Sequence, residues 1–133
     1  LGAYTTALLA TACDEVDRAV LMIPLASMAD AYLEHREGRE DAPPEWIRGR
    51  IDAAYRVVSP FARVPRVTGD RVLVLAANGD RITRRNHAEG LRAHFDATLE
   101  MFPGGHILQG GRRKAFGAVA KLLARHGAIV PRH

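Results

Sequence analysis

The span from Arg71 to Gln109 constrains the fold more than any other part of this chain. It opens on the unbroken apolar run Val72–Ala76, passes through the turn chemistry of Asn78-Gly79-Asp80, and continues into a stretch with helical spacing. A second short run, Thr98 to Phe102, then leads into Pro103-Gly104-Gly105-His106. A strand without polar alternation is one covered on both faces. Two strands joined through a helix run parallel, because the crossover returns the chain to the end of the sheet where it started. An acid, Asp80, and an imidazole, His106, are thereby delivered side by side just past the carboxyl ends of neighbouring strands. Open α/β sheets bind ligands at that rim.

The remaining elements extend the same alternation. Gly2 to Ala12 is apolar nearly all round and reads as a buried helix. Arg18 to Ile23 (R-A-V-L-M-I) is a second doubly covered strand, stopped by Pro24. Leu25 to Leu33 reads as a short helix and His35 to Asp41 as a charged loop. Asp41, Pro43, Pro44 and Glu45 form a helix start, followed by Trp46 or Ile47, Ile51, Ala54, Tyr55 and Val58 at helical spacing. Ser59-Pro60 ends that element, and Phe61 to Asp70 reads as loop. Thr83 is placed to cap a helix carrying Ala88, Leu91 and Phe95, and a last helix, about Arg112 to Arg125, carries Phe116, Val119, Ala120 and Leu123 on one face. The expected class is α/β: a short parallel sheet flanked by helices, with a helical excursion over 25–61 between two strands.

Composition narrows the functions available. With 133 residues and 47% hydrophobic content, the chain suits one globular domain. The net charge of +4 comes from scattered basic residues with no interleaved aromatics, which reads as solvated helix faces rather than a nucleic-acid platform. No apolar run approaches the roughly 20 residues of a membrane helix, and no signal peptide opens the chain. The single cysteine, Cys13, leaves no internal disulfide or cysteine metal cluster and is compatible with a reducing, cytoplasmic setting. An apolar start at Leu1 reads as the edge of a fragment.

With these residues in place, the chain resembles the C-terminal half of an α/β-hydrolase over essentially its whole length. Leu1-Gly2 looks like the last two positions of the family's G-x-S-x-G elbow, with Ala3-Tyr4-Thr5-Thr6-Ala7 opening the helix behind it. R-A-V-L-M-I-P resembles the next core strand, A-A-N-G-D-R-I-T the segment presenting the acid, and F-P-G-G-H the loop presenting the histidine. The resemblance implies a Ser-Asp-His triad with Asp80 as acid, His106 as base and the serine immediately before Leu1. It implies acyl transfer, by default on a carboxylic ester, with the Leu1 backbone N–H as one oxyanion donor. The missing N-terminal half of the domain would be a partner, no cofactor or metal is expected, and the chain alone is expected to be inactive.

Other residues are weaker candidates. Ser27 lies near the same rim without a glycine elbow, Ser59 reads as a helix stop, and Cys13 lies at the far end of the first helix. A metal site from His87, His94 and His106 ranks below solvated helix histidines. The excursion 25–61 lies where the family places a lid, so Met28, Trp46 and Tyr55 are candidates to line an acyl pocket, against the simpler reading as core. Two other classes of function stay open: a non-catalytic hydrolase-like binding or scaffold domain, and an independent small α/β domain.

Overall fold

The computed structural model describes residues 1–40, 43–107 and 110–128. Helix α1 (Gly2–Ala12) is followed by strand β1 (Ala19–Met22), helices α2 (Met28–Arg36) and α3 (Trp46–Tyr55), strand β2 (Val72–Ala77), helix α4 (Arg85–Phe95), strand β3 (Thr98–Phe102) and helix α5 (Arg112–Arg125). The strands form a parallel sheet in the order β1-β2-β3. Helices cover both of its faces, so the mixed α/β class expected from the alternation of apolar runs is the one observed. Asp41, part of the expected helix start, lies outside the described residues, as do Leu108 and Gln109.

β2 explains the arrangement. All six of its residues are buried. Successive side chains point to opposite faces, so Val72, Val74 and Ala76 join Ala7 and Ala10 of α1 and Ala88, Leu91 and Phe95 of α4 in one core. Leu73, Leu75 and Ala77 join Phe102 and Ala115, Ala118 and Leu122 of α5 in a second. A strand used on both faces cannot spare a polar position. Because all three strands are parallel, Pro24, Asp80 and His106 follow carboxyl ends on the same rim.

Several local expectations change. α1 is not covered all round: Tyr4, Ala7, Ala10 and Thr11 are buried, while Leu9 is exposed among the described residues. β1 pairs only with β2, and among the described residues its other edge carries no strand. α2 runs on through His35 and Arg36, which were expected in a loop; Ser27 starts it by accepting the Asp30 N–H at 3.0 Å. The stretch after Ser59 contains two short 3-10 turns, Pro60–Ala62 and Gly69–Arg71, rather than loop throughout.

α5 packs through a neighbouring face. Ala115, Ala118 and Leu122 are buried, whereas Phe116 is 58% exposed and Ala120 is exposed. The helix has apolar residues on two adjoining faces, and the one rich in alanine lets its backbone approach the sheet most closely.

Candidate active site

Asp80 is set by the turn after β2. Its N–H donates to the Ala77 carbonyl at 3.2 Å, and the two residues before it are held from the neighbouring loop: Asn78 N–H donates to Phe102 O at 3.0 Å and Gly79 N–H to Gly104 O at 2.8 Å. The β2–β3 ladder thus continues beyond the strands as a clasp between the Asp80 loop and the His106 loop. Glycine is required for that approach. A Cβ on Gly79 would stand 3.0 Å from Gly104 O, one on Gly105 would stand 3.3 Å from Gly79 O, and Gly104 has φ of +126°. The paired glycines ahead of His106 bring two backbones together.

The Asp80 carboxylate is 2% exposed and accepts four hydrogen bonds. Oδ1 accepts the Ile82 N–H at 2.8 Å and the Thr83 N–H at 2.9 Å. Oδ2 accepts the Thr83 hydroxyl at 2.8 Å and His106 Nδ1 at 3.0 Å. Burial pushes the carboxyl pKa up, but hydrogen bonds from Thr83, Ile82 and His106 outweigh it and hold the group below the ordinary carboxylate range. An ionised carboxylate only accepts, so the proton between the two side chains sits on Nδ1 and the basic nitrogen of the ring is Nε2. Thr83 was expected to cap α4. Its hydroxyl instead goes to Asp80, and α4 begins after Arg84 with no side-chain cap.

His106, with its side chain 37% exposed, borders a cleft of about 480 Å³. Leu1, Leu25, Ala31, Glu34, His35, Arg81, Ile82 and Thr83 complete its lining. Leu1 precedes the first turn of α1, so the positive end of that helix meets the same cleft as the imidazole. Ser27 and Ser59 line a separate cavity of about 240 Å³ with Tyr4 and Tyr55. Cys13 lies at the other end of α1, roughly 16 Å along an 11-residue helix. Among the cleft residues the one side-chain hydroxyl is that of Thr83, and it is committed to Asp80.

The two histidines of α4 are held by partners rather than standing free on a solvated face. His87 is buried: its Nδ1 accepts the Ala26 N–H at 3.3 Å, which places the proton on Nε2, 3.3 Å from Glu34 Oε2. Asn86 Nδ2 donates to the other Glu34 oxygen at 2.7 Å. This cluster fastens α2, one wall of the cleft, to α4. His94 is half-buried, with Nε2 3.0 Å from Pro60 O and its ring edge-on to Phe61. No group of three metal-binding side chains occurs among the described residues.

The three residues suggested for an acyl pocket separate. Met28 and Tyr55 line a cavity of about 610 Å³ between α2 and α3, whose walls also include Ala31 and His35 of the His106 cleft. Trp46 is 62% exposed on α3, its ring beside the Arg50 guanidinium. Thr83, Glu34 and His87 build the site in roles that apolar periodicity does not mark: a carboxylate partner and a tie between α2 and α4. For Thr83 a signal existed: a hydroxyl three residues after an aspartate in a turn is placed to bond it. No described helix is long and apolar enough to cross a membrane. No protein-family model, curated protein or solved structure matches the chain.

Proposed function

We propose that this chain carries the acid and base of a serine-hydrolase triad acting on carboxylic esters, as the C-terminal part of an α/β-hydrolase domain. The observation that carries this reading is the buried, ionised Asp80 bonded to Nδ1 of His106, beside a cleft that the start of α1 also enters. Asp80 fixes the imidazole tautomer and stabilises its cation once a proton arrives. Nε2 takes the proton of a serine hydroxyl as its oxygen attacks the ester carbonyl, then returns the proton to the departing alkoxide. Water repeats the cycle on the acyl-enzyme. The serine stands on the residue immediately before Leu1, and the Leu1 N–H, at the positive end of α1, is one donor to the oxyanion.

The edge of β1 that carries no strand among the described residues, with Leu9 exposed on α1, fits a further strand and its layer at that side of the sheet. The setting that goes with this reading is cytoplasmic, where a lone thiol such as Cys13 stays reduced. The test is made on the full-length protein. A fluorophosphonate is expected to label the serine before Leu1, and His106→Ala to reduce ester turnover by about 10⁴-fold or more. The 133-residue chain alone is expected to show no triad hydrolysis. Turnover that survives in His106→Ala would overturn the proposal. A residue other than a nucleophile before Leu1 would favour a second reading, a hydrolase-like binding domain, because the one cleft hydroxyl, Thr83, is already bonded to Asp80.

A further inference from the structure

α3 lacks what a helix in a folded domain ordinarily has, a buried side. Its apolar residues Ile47, Ile51 and Tyr55 recur one turn apart, yet none of its residues is buried. Facing them, α2 presents Met28, Ala31, Tyr32 and His35 at spacings of three and four, the stripe by which a helix packs. Two such stripes normally interlock. Here they flank an open groove of about 610 Å³ instead. The helices are still held together, since Arg48 of α3 forms an ion pair with Asp30 of α2. The Glu34–His87 contact keeps α2 on α4.

The cavity borders the candidate active site. Ala31 and His35 belong to its lining and to that of the His106 cleft. Both volumes fall in the range of about 300–1,000 Å³ usual for small-molecule sites. A narrow, flexible, apolar group held by its polar end at His106 fits this shape, because the cavity lies to one side of the dyad.

We infer that the space between α2 and α3 takes the unbranched alkyl chain of the ester substrate, with Met28, Ile47 and Ile51 as its apolar walls. This rests on the hydrolase reading above. Burying each methylene is worth about 0.8 kcal/mol, an upper bound of roughly fourfold in kcat/KM per carbon. The chain can sit on the acyl or the alcohol side of the ester, and two substrate series separate them.

The full-length protein is assayed with p-nitrophenyl acetate, butyrate, hexanoate and octanoate, and with the acetates of ethanol, butanol, hexanol and octanol. In one series kcat/KM is expected to climb by roughly twofold to fourfold per methylene, and that series names the side. Ile51→Trp, which fills the cavity from α3, is expected to lower the octyl-to-acetyl or octyl-to-ethyl ratio at least tenfold. Phe116→Ser, on the outer side of α5, leaves the slope as it is. A flat profile in both series, with acetate still turned over, overturns the inference and leaves the hydrolase reading standing. An unchanged ratio in Ile51→Trp does the same. No turnover of any ester, together with no fluorophosphonate labelling, sinks the hydrolase reading and this inference with it. Ile47→Trp, which fills the same space one turn earlier on α3, is read in the same way if the first tryptophan variant fails to fold.

Discussion

Oδ2 of Asp80 lies 3.0 Å from Nδ1 of His106, and it also accepts a hydrogen bond from the Thr83 hydroxyl. The same carboxylate oxygen thus orients the imidazole and is itself oriented. The two residues stand 26 positions apart in the chain with a helix and a strand between them, and the backbone clasp from Asn78 and Gly79 to Phe102 and Gly104 sets their spacing.

Asp80→Asn is expected to leave the imidazole in place with the wrong tautomer favoured, because an amide nitrogen cannot accept from Nδ1. Under the proposed mechanism, kcat falls by about 10⁴-fold. With its nitrogen toward His106 the amide keeps an oxygen for the Ile82 and Thr83 N–H groups but loses the carboxylate charge, weakening those bonds at a cost of about 1–2 kcal/mol. Steady-state kinetics on the full-length protein, with thermal unfolding beside them, check both effects. An Asn variant with near-native kcat would remove Asp80 from the triad.

Thr83→Val keeps the shape and the backbone donor but deletes the hydroxyl bond to an ionised carboxylate, a loss of about 1.5–3 kcal/mol at pH 7. The loss is pH dependent. Because the folded state holds the Asp80 carboxyl below its ordinary value of about 3.9, its stabilisation is complete above that pH. It fades as pH falls through the lower, folded value. Denaturant midpoints of Thr83→Val and the parent should therefore differ at neutral pH and converge in acid. A gap that stays constant down to pH 2.5 would mean the hydroxyl matters for packing alone.

Glycine substitutions should separate by position. Gly104→Ala forces a side chain into φ of +126°, at a cost of about 1–3 kcal/mol, and shifts the His106 loop. Gly79→Ala pushes a methyl to 3.0 Å from Gly104 O and opens the same clasp from the other side. Gly117→Ala, on an open face of α5, should stabilise by about 0.5–1 kcal/mol. Melting temperatures rank the three, and an equal effect at Gly104 and Gly117 would contradict the clasp.

The buried ring of His87 bridges Ala26 and Glu34. His87→Phe preserves bulk while stranding the Ala26 N–H, and is expected to cost about 1–3 kcal/mol. Hydrogen exchange should quicken across α2 more than across β2, since α2 loses its tie to α4 and the central strand does not. Uniform protection in the two elements would rule out this tie.

Much of the architecture was legible because it is written in local pattern. An unbroken run such as Val72–Ala77 has no polar residue to face water, so it must lie between two layers, and parallel strands follow from the helix between them. Asn78-Gly79-Asp80 and Gly104-Gly105-His106 announced turns at the strand ends through residues that tolerate tight backbone. Which face of α5 meets the sheet was not legible. Phe116 and Leu122 are both apolar on adjoining faces, and only the closeness of approach offered by Ala115 and Ala118 chose between them.

The same division runs through the candidate site. Local pattern placed Asp80 and His106 on one rim, because strand direction follows from connection chemistry. It could not assign Thr83 to the carboxylate over the helix end, bury His87 against Glu34, or leave a cavity between α2 and α3. Those outcomes depend on side chains as far apart in the chain as Ala26 and His87 arriving at one place. A hydrogen bond between distant residues leaves no period in the sequence, and it is settled only when the layers pack.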